Sequence, residues 1–80
     1  MFSNMRRLKR QSAIGKTLRS ARESKDMPLC VVIEELKDLR VKCSLANLGK
    51  IETGNISCRA DILGALCLVY DITPEDVLYH

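Results

Sequence analysis

The sequence predicts an all-α fold of five helices joined by short links, and three observations carry that expectation. Apolar residues recur at helical spacing along most of the chain, with Leu29, Val32, Ile33 and Leu36 the clearest run at i, i+3, i+4 and i+7. Helix punctuation is dense: Ser44 precedes one apolar stretch, Thr53-Gly54-Asn55 closes it, and Thr73-Pro74-Glu75-Asp76 sets a cap, a first-turn proline and two acids in the order a helix start requires. The β-branched run Val31-Val32-Ile33 could form a buried strand, but Glu34-Glu35-Leu36-Lys37 beside it are helix formers and no partner strand is visible.

Taken in order, Ser12 is expected to cap the first helix, with Ile14, Leu18, Ala21 and the stem of Arg22 on one face and Lys16, Arg19 and Glu23 toward water. Ser24 to Met27 breaks it. The second helix begins at Pro28 with Asp26 as a candidate cap and extends as far as Val41. The third is short, capped by Ser44, buried through Leu48 and Ile51, and ended where Gly54 is free to take positive φ. Ser57 or Asp61 opens the fourth, with Ile62, Leu63, Leu66, Cys67, Val69 and Tyr70 mostly inward. After a turn at Asp71-Ile72, the fifth carries Val77 and Leu78.

Eighty residues hold one domain. The reading divides the chain into a basic N-terminal arm, 1–11, and a domain, 12–80. With 46% hydrophobic and 29% charged residues and only Phe2, Tyr70 and Tyr79 aromatic, the core is aliphatic and disorder is disfavoured. A chain of this size buries about 60–65% of its unfolded surface, so stability should be modest and self-association would help. The longest uncharged apolar stretch, Ile62 to Tyr70, falls far short of the roughly 20 residues of a membrane span, and no apolar signal core follows the N-terminal basic residues. A soluble, cytoplasmic protein without membrane association is expected.

Charge is unevenly placed. Met1 to Lys25 contains eight Lys or Arg (Arg6, Arg7, Lys9, Arg10, Lys16, Arg19, Arg22, Lys25) against Glu23 alone, whereas Asp26 to His80 has five basic and nine acidic residues. Such polarity suits a polyanion docking on one side, and a solvated basic tail is the plain alternative. The four cysteines, Cys30, Cys43, Cys58 and Cys67, show no CxxC pair, and His80 is the one histidine. No metal site is expected, and the thiols, each placed in a helical setting, are read as reduced and half-buried. No internal histidine, paired catalytic carboxylates, Gly-rich phosphate loop or Cys-His pair is present, so no catalytic residue, cofactor or small-molecule ligand is expected and the chain is not read as an enzyme.

A helix, a turn and a short helix opening on a small polar cap are the parts of a helix-turn-helix. The string Ile14-Gly15-Lys16-Thr17-Leu18-Arg19-Ser20-Ala21-Arg22 resembles the first helix of the Cro/CI-type, or XRE-type, helix-turn-helix regulators, and Leu48-Gly49-Lys50-Ile51-Glu52-Thr53-Gly54 is similar to the end of their recognition helix. The pattern from Ile62 through Tyr70-Asp71-Ile72-Thr73-Pro74-Glu75-Asp76-Val77-Leu78 resembles the family's last two helices, so the likeness covers residues 14–78. It implies a five-helix lambda-repressor-like domain, with helices two and three as the helix-turn-helix. The implied function is sequence-specific binding of double-stranded DNA by a small transcriptional regulator, foremost a repressor, working as a homodimer.

The recognition helix, about 44–53, would then present Ser44, Leu45, Ala46, Asn47 and Lys50 to base edges. Asn47 suits adenine N6 and N7, Lys50 suits guanine or phosphate, and Leu45 and Ala46 can only meet a thymine methyl. Asn47 as a solvated polar residue is the bland alternative. Phosphate contacts are expected from Arg6, Arg7, Lys9, Arg10, Asn55 and Arg59, from the Ser44 amide and from the 55–58 loop. The resemblance also implies an Arg22–Glu52 ion pair that orients the recognition helix. Val77, Leu78 and Tyr79, apolar at the chain end, are the candidate dimer contacts.

Two features depart from the family pattern. About five extra residues lie between Val32-Ile33 and Ile51, so the Lys37-to-Lys42 segment must lengthen helix two or enlarge the turn. Leucines 29 and 45 stand where polar residues commonly open helices two and three. These departures keep a second reading open, a helix-turn-helix scaffold binding another protein as an adaptor or anti-regulator.

Overall fold

The computed structural model describes the backbone of residues 2–78 and the side chains of residues 10–77. Its described residues form five helices and no strand: α1 (Phe2–Ser24), α2 (Leu29–Asp38), α3 (Leu45–Glu52), α4 (Ala60–Tyr70) and α5 (Pro74–Leu78). None is long and apolar enough to cross a membrane. The β-branched trio is helical within α2, where Val32 goes inward and Val31 outward.

α1 departs furthest from the expected layout. It is helical from Phe2, so Ser12 lies inside the helix instead of capping it, and the backbone of 2–11 continues the helix where a separate arm was expected. The physical reason is composition: Met5, Arg6, Arg7, Leu8, Lys9, Arg10 and Gln11 are strong helix formers, with no Gly or Pro among them to stop propagation. Farther along α1, Leu18 is fully buried and Ile14 and Ala21 pack beside it, while Lys16, Arg19 and Glu23 are exposed.

Leu18, Val32, Leu36, Leu48, Ile51, Leu66 and Tyr70 form the centre of the core, surrounded by Ile62, Ala65, Cys67 and Val77. α3 packs between α1 and α2, α4 lies on α2 and α1, and α5 closes against α1 and α4. Val77 is 3% exposed, which corrects its assignment as a dimer contact: α5 is little more than one turn, and among its described side chains Val77 is the one that enters the core. The Leu78 side chain and Tyr79 lie outside the described residues.

Four helices end the same way. In each, a residue with left-handed backbone closes the last turn: Asp26 (φ 53) after α1, Arg40 (φ 60) after α2, Gly54 (φ 79) after α3 and Asp71 (φ 58) after α4. The following amide reaches back five residues, as Met27 N–H to Arg22 O at 3.2 Å, Val41 N–H to Leu36 O at 2.9 Å, Asn55 N–H to Lys50 O at 2.9 Å and Ile72 N–H to Cys67 O at 3.0 Å. This is the Schellman termination, which satisfies carbonyls the helix would leave unpaired. Asp26 therefore terminates α1 and does not cap α2; Pro28 is the N-cap, not the first helical residue, which is Leu29. Likewise α2 stops at Asp38, short of Val41, and the additional residues enlarge the connection to α3, Leu39 to Ser44. α4 opens after Arg59 with no side-chain cap, in place of Ser57 or Asp61. The α5 start matches its sequence signal: Asp76 N–H donates to Thr73 Oγ1 at 3.3 Å and Thr73 N–H donates to Asp76 Oδ2 at 3.1 Å, a reciprocal cap.

Candidate nucleic-acid interface

Four devices hold α3 in place. At its start, Ser44 Oγ accepts the Asn47 N–H at 3.0 Å, satisfying one free amide of the first turn. Along its inner face, Leu48 and Ile51 enter the core. At its end, α1 comes so close that a Cβ on Gly15 would stand 2.6 Å from Glu52 O and press on the Ile51 carbonyl, so the α1–α3 approach depends on glycine at position 15. Gly54, at φ 79, is pinned beside Ser12, and Gln11 Nε2 donates to Gly54 O at 3.4 Å.

A two-pronged ion pair completes the clamp. Arg22 Nε donates to Glu52 Oε2 at 2.8 Å and Nη2 donates to Oε1 at 3.1 Å, while Nη1 donates to Met27 O at 2.9 Å. The hydrogen bonds to Glu52 push the Arg22 pKa upward against the opposing effect of burial, so the guanidinium stays charged. Tyr70 is buried nearby with no partner for its hydroxyl, and burial pushes its pKa up as well.

With Leu48, Ile51 and Glu52 fixing the inward direction, about 100° per residue turns Ala46 and Lys50 directly outward and puts Leu45 and Asn47 roughly a quarter-turn to either side. Ser44, Leu45, Ala46, Asn47 and Lys50 are all exposed, with Leu45 and Asn47 on opposite flanks of the outward direction. Leu29, by contrast, is half-buried against the core, so α2 opens on a packing residue where the resemblance implied a polar one. Of the candidate phosphate contacts, Arg10 is exposed, Asn55 donates to Thr53 Oγ1 at 3.0 Å, and Arg59 pairs with Asp61 at 3.3 Å. The side chains of Arg6, Arg7 and Lys9 lie outside the described residues.

The charge around α3 is one-sided. From Leu39 to Ala60 the basic residues are Arg40, Lys42, Lys50 and Arg59, all exposed, and the single acid is Glu52. Glu52 is 7% exposed and neutralised by Arg22, so no acidic side chain from this segment reaches the surface. Exposed acids stand on α2 at Glu34, Glu35 and Asp38 and from α4 onward at Asp61, Asp71, Glu75 and Asp76, Asp61 being paired with Arg59. Arg40 and Lys42, on the enlarged connection, went unassigned in the sequence reading because their place beside α3 depends on where α2 stops. Gly15 was likewise missed as a packing residue, although a glycine inside a helical pattern is a signal of close approach.

All four thiols are free. Cys30 on α2 is exposed, Cys67 is buried in α4, and Cys43 and Cys58 sit half-buried in the connections on either side of α3, outside any helix. Burial pushes the Cys43 and Cys67 thiols up and takes Cys58 to about 12, so these three are protonated at neutral pH. Among the described residues no His, Cys, Asp and Glu side chains are grouped so as to hold a metal.

What the geometry defines, among the described residues, is an all-α arrangement of five helices with a short clamped α3 whose adjoining connections carry exposed cations. No protein-family model, curated protein or solved structure matches the chain.

Proposed function

We propose that the protein is a small cytoplasmic transcriptional regulator, a repressor foremost, that binds double-stranded DNA sequence-specifically with α3 in the major groove. The observation that supports this reading most is the one-sided charge: four exposed cations lie within α3 and the connections on either side of it, and the only acid of that helix is buried and paired. A polyanion gains from each cation on such a surface, and a mounted helix brings side chains to base edges. One domain spans few base pairs, so two copies on half-sites about one helical turn apart would raise affinity and specificity.

Fluorescence anisotropy with two labelled duplexes tests the reading, one from upstream of the protein's own gene and one scrambled, each titrated at two salt concentrations. Tighter binding to the native duplex that persists at the higher salt is expected. Equal, salt-sensitive binding would reduce the function to charge attraction, and no binding to either would overturn it. A second reading, docking of another protein, is favoured by the exposure of Val31 (40%), Leu39 (43%) and Leu45 (52%). An acidic partner protein bound in place of DNA would establish that reading.

A further inference from the structure

α4 is apolar nearly all round. Its 11 residues include one charged side chain, Asp61, and no cation. A helix of that composition is ordinarily covered on every side, yet α4 is covered on one: Ile62, Ala65, Leu66, Cys67 and Tyr70 enter the core. At about 100° per residue, the opposite side presents Ala60, Gly64 and Leu68 in a line. Leu68 is 73% exposed, more than any other large apolar side chain among the described residues, and a Cβ built on Gly64 would meet nothing within 4 Å. A bump and a hollow therefore stand about one turn apart on the same open face.

That shape fits itself. Two antiparallel copies of α4, related by a two-fold axis midway between residues 64 and 68, set each Leu68 over the Gly64 of the second copy, so one contact satisfies both copies. A parallel pair would instead set Leu68 against Leu68 and Gly64 against Gly64. Charge agrees with the antiparallel register. It brings residue 71 of the second copy opposite residue 61, where Asp61 is held by Arg59 at 3.3 Å. The exposed acid Asp71 of the second copy then arrives within side-chain reach of Arg59, and symmetry repeats the meeting at the other end.

We infer that the outward face of α4 is a homodimer contact, in which Leu68 of each copy docks over Gly64 of the other across a two-fold axis. This names the surface that joins the two copies invoked above, and it holds with or without DNA. α4 is only about 16 Å long, so the contact is smaller than that of a stable complex and association in the micromolar-to-millimolar range is expected. Unfolding measured on dilute samples reports the monomer.

Sedimentation equilibrium of the full chain without DNA, from about 10 µM to about 1 mM, tests the contact. The mass should move from one chain toward two as concentration rises. Leu68→Asp should weaken association at least about tenfold, because a carboxylate would be buried without a partner. Val31→Asp, at an exposed apolar position on α2, should leave association unchanged. Both positions are exposed, so both variants should keep their helical circular dichroism. Gly64→Leu fills the hollow and Leu68→Gly removes the bump, and each alone should weaken association to a similar degree. The two together exchange bump and hollow and should restore most of the parent's affinity. A parent that stays monomeric at the highest concentration would overturn the inference and leave the face to a different protein. Association that survives Leu68→Asp, growth beyond two copies, or a double variant no better than the single ones would overturn it as well.

Discussion

Arg22 and Glu52, thirty residues apart, meet in a two-pronged ion pair at 2.8 and 3.1 Å, with the Glu52 side chain only 5% exposed. This pair ties α1 to the last turn of α3 and neutralises the one acid of that helix. Breaking a buried pair from one side leaves an uncompensated charge, so Arg22→Ala should lose about 3–5 kcal/mol in urea unfolding. The double change to Met at 22 and Leu at 52 should recover most of that. Arg19→Ala, which breaks the exposed Arg19–Glu23 pair, should lose no more than about 0.5 kcal/mol. A loss of similar size in both single variants would show that the buried pair is not the clamp.

The glycines should divide sharply. Gly15→Ala forces a Cβ into the carbonyls that end α3, and overpacking of this kind costs about 1–3 kcal/mol. Gly64, inside α4, has nothing within 4 Å of an added Cβ, so Gly64→Ala should stabilise by about 0.5–1 kcal/mol through helix propensity alone. Thermal melts of the two variants would show opposite shifts, and shifts of the same sign would contradict the close approach at residue 15.

Arg40 holds φ 60 with a full side chain, a conformation that costs a residue with a Cβ about 1–2 kcal/mol. Arg40→Gly relieves that strain but gives the unfolded chain more freedom, so a net gain of about 0.5–1 kcal/mol in unfolding free energy is expected. A loss would mean that the side chain contributes more than its backbone strain costs.

Stability should fall on the alkaline side. The Cys58 thiol ionises at about 12 in the folded protein against 9.0 for an ordinary thiol, because burial disfavours the thiolate. Above pH 9 the unfolded chain releases a proton that the folded chain keeps. The stabilisation from the neutral thiol is therefore complete below pH 9 and is lost progressively toward pH 12. Cys43, Cys67 and, above pH 10, Tyr70 act in the same sense. Urea midpoints at pH 8, 10 and 11 should drop, and Cys58→Ala should lessen the drop. Equal slopes in parent and variant would remove Cys58 as a source.

The sequence was most informative where a signal is local and unambiguous. The Ser44 cap and the Thr73-Pro74-Glu75-Asp76 start are formed by side chains acting on their own backbone, the Gly54 stop by the left-handed backbone that glycine adopts freely, and each is found in the structure. Asp26 misled because aspartate suits both a helix cap and a left-handed stop, and only the chain direction at Met27 separates the two. Val77 misled because its burial depends on how α5 folds back onto α1 and α4, which no local pattern encodes. For the interface, the exposed residues of α3 followed from helical register. The cations of the enlarged connection did not, since Arg40 and Lys42 stand in the link to α3 only because α2 stops at Asp38.

The repeated helix ending has a kinetic consequence. Each of the four stops uses backbone amides within five residues of their acceptors, so the division of the chain into helices is settled by contacts available before any tertiary structure exists. The search in folding is then reduced to docking preset rods. Its slow event is the long-range closure that brings α1 onto α3, where Gly15 must find the Ile51 and Glu52 carbonyls and Arg22 must find Glu52.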